Sequence, residues 1–177
     1  MNGIDLYARY RPIIKTADLI EFSNNSIGSF AIRWKTKEIV SHTSGAILYK
    51  MVSGTQVRRY IGESVSKGFV LSYLSDRLRH WNTKAYLLRL KPEYDEYRVR
   101  IAEEALKLEG TPYDFLSIFK QLKGPVKLDT RQLFCSEVWQ VALIKVGLLE
   151  ESFNNGCALV PGQFWMTGLY KEAVRLF

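Results

Sequence analysis

The 177-residue sequence predicts an α+β protein, and three observations carry that expectation. Short alternating or apolar runs bounded by turn residues fill the first half. Longer helical periodicity fills the second half. The two are not interleaved as regular strand–helix–strand units, so the layout is α+β rather than a doubly wound sheet. Hydrophobic residues make up 47% and charged residues 24% of the chain. That balance suits a folded domain with a sizeable core, and residues 1–177 are read as one domain.

The first strand is expected in "ADLIEF", from Ala17 to Phe22. "SFAIRW" (Ser29 to Trp34) alternates and reads as a second, after the turn-like "NNSIGS". "EIVSHTSGAILY" is β-rich and carries His42 before its second apolar run. "QVRRYIGES" is strand-like and carries Glu63 near its end. "GFVLSYLSDRLRHW" fits strand and helix equally, and "KAYLLRL" (Lys84 to Leu90) reads as a buried strand.

"PEYDEYRVRIAEEALKLEG" then starts with Pro92 and ends at Gly110, as a helix should. Its apolar stripe is expected through Val99, Ala102 and Leu106, with Tyr94 or Tyr97 one turn earlier. "YDFLSIFKQLKGP" reads as a shorter helix stopped by Gly124 and Pro125. "FCSEVWQVALIKVG" is the third helix, ended by Gly147. "ALVPGQFW" reads as a loop or short strand before a terminal amphipathic segment.

Two cysteines, Cys135 and Cys157, make no disulfide framework. Two scattered histidines and two cysteines make a metal cluster an unfavourable reading, and no metal or organic cofactor is expected. The N-terminus lacks the apolar stretch of a signal peptide, and no segment has the apolar length to span a bilayer. The expected compartment is a reducing cytoplasm: bacterial, viral (phage included) or host. The formal charge is +7, spread through Arg58, Arg59, Arg77, Arg79 and Arg98 to Arg100. No nucleic-acid motif accompanies it, and these arginines are read as a solvated basic surface, the alternative being attraction to an anionic substrate or membrane surface.

Cys135 poses the central question. A lone cysteine usually packs as a small hydrophobe. A nucleophile instead needs a thiolate, favoured at a helix N-terminus or beside an imidazolium. If the helix begins near Phe134, Cys135 faces the unpaired N–H groups and the positive dipole end. "DTRQ" offers a competing cap through Asp129 and Gln132, which would put Cys135 in the second turn. Only His42 and His80 can act as base. His80 sits in a charged amphipathic run and reads as a surface or packing residue. His42 lies among Ser41, Thr43, Ser44 and Gly45, which leave room for a substrate, and a half-buried histidine that merely hydrogen-bonds a backbone carbonyl fits the residues equally. Glu63 ends the following strand, where a hairpin would bring it beside His42, although spacing alone favours an ordinary exposed strand-end glutamate.

The segment order "ADLIEF", "VSHTSGAIL", "YIGES", "EGTPYDF", "LFCSEVWQVAL", "LVPGQF" resembles the permuted papain-like hydrolases, circularly permuted relatives of the NlpC-type cell-wall peptidases. The resemblance runs from about Ala17 to Trp165, nearly the whole chain. It implies an antiparallel sheet packed on the cysteine helix, with Cys135 as nucleophile, His42 as base and Glu63 as the polar orienter. It also implies an amide-cleaving cysteine peptidase or amidase acting on a peptide, a peptidoglycan-type amide or an acyl-amide. Tyr113, in the "GTPYDF" turn, would line the cleft or anchor its loop. Family members often carry Gly where Ala17 stands, a difference that touches a turn. An acyltransferase or thioesterase like the lecithin–retinol acyltransferase group shares the permuted order. That group usually shows Asn-Cys-Glu-His where this chain has "LFCSEVW", and it often has a second His in place of Glu63. A non-catalytic binding protein on the same fold would keep Cys135 and His42 apart. Cys157 is read as structural, and Trp139, Phe164 and Trp165 as core.

Overall fold

The computed structural model describes residues 3–23, 33–34, 37–50, 57–80, 84–111 and 134–176. Its elements in chain order are helix α1 (Gly3–Tyr10), strands β1 (Leu19–Ser23), β2 (His42–Lys50), β3 (Val57–Val65) and β4 (Gly68–Tyr73), helix α2 (Leu74–His80), strand β5 (Lys84–Leu88), helices α3 (Arg98–Leu106) and α4 (Cys135–Lys145), and the short strand β6 (Val174–Arg175). The strands form a six-stranded sheet in the order β4-β3-β2-β1-β5-β6, with every neighbouring pair antiparallel. The architecture is α+β. No helix among the described residues is long and apolar enough to cross a membrane.

Strand pairing alternates side chains between two faces. The register row Leu19, Gly45, Gly62 meets α4, because Trp139 lies directly over Gly45. Leu19, Ile47 and Phe69 join Ile101, Ala105, Val138 and Trp139 in one apolar cluster. On the other face, Ile20, Phe22, Ala46 and Ile61 pack with Leu74 and Leu78 of α2. Glycine is needed at both Gly45 and Gly62. A Cβ there would collide with the Trp139 ring or the Phe69 ring.

Several expectations change. "GFVLSYLSDRLRHW" is both things at once, β4 followed directly by α2. The described part of "SFAIRW", Arg33 and Trp34, is helical, and the rest lies outside the described residues. The segment after Pro92 begins as a 3₁₀ turn, Pro92–Tyr97, and becomes α-helical at Arg98. Of the expected stripe, Ala102 is buried and Tyr94, Tyr97 and Leu106 pack against the core beside Ile101 and Ala105, whereas Val99 is 63% exposed. The terminal amphipathic segment ends in the short strand β6. "YDFLSIFKQLKGP" lies outside the described residues.

Arg98 is not part of a solvated surface. It is buried and gives hydrogen bonds to Asp18 (2.7 Å), Asp95 (2.7 Å) and the carbonyls of Thr16 (2.6 Å) and Leu90 (2.8 Å). Asp18 also accepts from the N–H of Lys15 and of Leu90. A buried charge is tolerable only when paired and hydrogen-bonded in this way. The network ties α3 to the start of β1. Beside it, Ala17 holds a left-handed backbone (φ 65°), which glycine adopts without the Cβ clash that alanine bears.

Candidate active site

Cys135 is the first residue of α4. The carboxylate of Glu137 accepts the Phe134 N–H at 2.9 Å, an N-terminal cap that fixes where the helix begins. This resolves the choice between first and second turn in favour of the first. The rival cap residues Asp129 and Gln132 lie outside the described residues. Cys135 packs with Phe134 and Ala158, and its thiol hydrogen-bonds the His42 imidazole.

His42 is the first residue of β2, paired in register with Phe22, whose ring centroid is 6.1 Å from the imidazole. The His42 Nε2–H donates to Glu63 Oε2 at 2.9 Å. The ring nitrogen left for the thiol is therefore Nδ1. The His42 side chain is 12% exposed and that of Glu63 only 1%. Glu63 sits two residues from Ile61, on the sheet face that α2 covers. α4 lies on the opposite face, under Trp139 and Gly45. The cysteine and the carboxylate thus reach the imidazole from opposite sides of the sheet. His42 stands at the end of its strand.

Arg77 of α2 completes the carboxylate's environment. Its Nε and Nη2 donate to Glu63 Oε2 at 2.9 and 2.7 Å, and Ser72 of β4 hydrogen-bonds the same side chain. Burial alone would raise the Glu63 carboxyl. The bonds from His42, Arg77 and Ser72 overcome it and hold the group below its ordinary value. For His42, burial works against the charged form. Cys135, through its charge and its hydrogen bond, and then Glu63 outweigh that and raise the imidazole to about 9. Arg77 and Ser72 carry no motif in the sequence. The β3–β4 pairing brings Ser72 alongside Glu63, and the helix that follows β4 directly brings Arg77.

The "ALVPGQFW" stretch is a loop strapped along α4. Ser136 Oγ donates to the Leu159 carbonyl (2.6 Å), and Gln140 bonds both the Cys157 carbonyl (3.1 Å) and the Leu159 N–H (2.7 Å). Gly162 N–H donates to Glu21 Oε1 at 2.9 Å, which pins the loop to β1. Glu21 also accepts from Thr43, and burial raises its carboxyl to about 7. Trp139 and Phe164 are fully buried, whereas Trp165 is 66% exposed, outside the core assigned to it from sequence. Its place in a short 3₁₀ turn, Phe164–Thr167, points neighbouring side chains in different directions. Cys157 is a half-buried free thiol, and His80 closes α2. Tyr113 lies outside the described residues.

No protein-family model and no curated protein matches the chain. Among solved structures, it is similar to the crystal structure of metalloprotein yiiX from Escherichia coli O157:H7. The TM-score is 0.66 and the identity 17%, over 92% of this chain and 96% of that one. At that identity the likeness is one of fold. Cys135, His42 and Glu63 are engaged with one another, and no group of three or more His, Cys, Asp or Glu among the described residues is placed to hold an ion.

Proposed function

We propose that the chain is a cysteine hydrolase of the permuted papain-like type that cleaves an amide bond through a thioester. The observation carrying this reading is the chain of contacts from the Cys135 thiol to His42 and on to Glu63, with Cys135 at the head of a buried helix. A histidine strand preceding the cysteine helix, and an antiparallel sheet against that helix, support the fold assignment.

In this reading the Cys135 thiolate attacks the carbonyl carbon, and the oxyanion that develops is met by the first-turn N–H groups of α4. The imidazolium of His42 gives its Nδ1 proton to the leaving nitrogen as the C–N bond breaks. Water then attacks the thioester, losing a proton to His42, and the acid product leaves with the Cys135 sulfur restored. Glu63 keeps the ring oriented and favours its charged form. The substrate class is a peptide, peptidoglycan-type or acyl amide.

The test is turnover on a panel of such amides and the matching thioesters. Cys135→Ala should abolish turnover while leaving the fold intact, and a stoichiometric acyl-enzyme should form on Cys135 and not on Cys157. Full activity in Cys135→Ala overturns the proposal.

A further inference from the structure

The least expected feature of the site is that two cations share one oxygen. His42 Nε2 and Arg77 Nε each lie 2.9 Å from Glu63 Oε2, and Arg77 Nη2 lies 2.7 Å from it. The imidazole and the guanidinium are therefore separated by no more than about 6 Å, a distance at which two charges interact strongly away from bulk water. Glu63 is buried, and the Arg77 side chain is 20% exposed.

We propose that Arg77 is a positioning residue that keeps Glu63 ionised and aimed at His42, while weakening the hold of that carboxylate on the imidazolium. This rests on the hydrolase reading for its purpose, though not for its measurement. A general acid must surrender its proton in each cycle, and a buried carboxylate acting alone on an imidazolium would hold that proton too tightly. A guanidinium never titrates in the working range, so it offsets the carboxylate at every pH without consuming a proton. Among the described residues, the groups facing His42 include Cys135 from α4, Glu63 from β3 and the uncharged Phe22 ring from β1. Arg77 from α2 and Ser72 from β4 act through Glu63.

The experiment is an NMR titration of the His42 ring in the full-length chain. It is done in a Cys135→Ala background so that the thiol does not titrate with it. The chain has only two histidines, and a His80→Gln variant assigns the signals. Arg77→Gln should move the His42 midpoint upward by at least about half a unit, a threefold gain in proton affinity, after discounting for the partial exposure of Arg77. Arg77→Lys keeps the charge and should stay within about 0.3 units of the parent. An unmoved midpoint in folded Arg77→Gln would make Arg77 a structural brace only. A downward move would mean that it supports the imidazolium. Either result overturns the proposal. If Arg77→Gln does not fold alone, Glu63→Gln with Arg77→Gln is compared with Glu63→Gln. Removing the cation should again raise the midpoint, and failure to do so refutes the idea. Because the readout needs no turnover, failure here is distinct from failure of the hydrolase reading.

Discussion

Replacing Gly45 by alanine should damage the site without touching it. The added Cβ would lie well inside 3.0 Å of three ring carbons of Trp139, against an ordinary carbon contact of about 3.5–4.0 Å. The ring cannot swing aside, because Trp139 is fully buried and its Nε1–H donates to the Gly62 carbonyl at 3.3 Å. The helix must retreat or the strand must bend. Overpacking of a filled core costs about 1–3 kcal/mol, and a strained or lost indole hydrogen bond adds about 1 kcal/mol. The total is therefore about 3 kcal/mol, a large share of the about 5–15 kcal/mol that holds a domain together. For a chain of this length the midpoint of thermal unfolding should fall by roughly 6–12 °C. Gly45 stands three residues after His42, and Trp139 one helical turn after Cys135. Any separation at this contact therefore propagates to the thiol–imidazole bond. Urea titration gives the stability, and iodoacetamide labelling of Cys135 at pH 7 gives the site geometry. A variant within about 0.5 kcal/mol of wild type, the usual range for a harmless surface change, with unchanged labelling would refute the packing argument.

Other outcomes separate the roles of the site residues. His42→Ala should lower turnover by roughly a hundred- to ten-thousand-fold. Glu63→Gln should cost less than that, because the Cys135–His42 pair survives with a poorer ring orientation; steady-state kinetics on one amide would rank them, and a silent Glu63→Gln would remove Glu63 from the mechanism. His42→Ala should also slow iodoacetamide labelling of Cys135 at pH 7 by about tenfold or more, since the supporting imidazolium is gone. In the parent, that imidazolium persists up to about pH 9 and is lost above it, so the stability it contributes is fully present below about pH 6.5 and fades as pH rises through 9. Glu21 behaves in the opposite sense to an ordinary paired carboxylate. Its folded value of about 7 lies above the unfolded one, so its contribution is complete at low pH and declines as pH rises from about 4 through 7. Glu21→Gln keeps the acceptor for Gly162 and should flatten that decline in melting temperature against pH. An unchanged slope would show that Glu21 does not titrate there.

The sequence by itself determined the class of the fold and most of the elements, because periodicity and turn chemistry are local. The strands at "ADLIEF", "SHTSGAIL" and "QVRRYIGES" and the helix carrying Cys135 follow from patterns a few residues long. So does the stop at Gly147, which takes a left-handed φ of 80°. Cys135, His42 and Glu63 were nameable because chemistry restricts which residue types qualify and only two histidines exist. Tertiary structure alone decided that they meet, since strand register and helix docking join positions far apart in the chain. It set the helix start at Cys135 through Glu137, a cap that competes on paper with Asp129. It turned Arg77 and Arg98 from surface charges into partners of the buried carboxylates of Glu63 and Asp18, Arg98 itself being buried and Arg77 partly exposed. It also exposed Val99 and Trp165. In each case the deciding quantity is burial, which depends on what the rest of the chain lays over a residue. An arginine or tryptophan reads the same in sequence whether water or a carboxylate lies beside it.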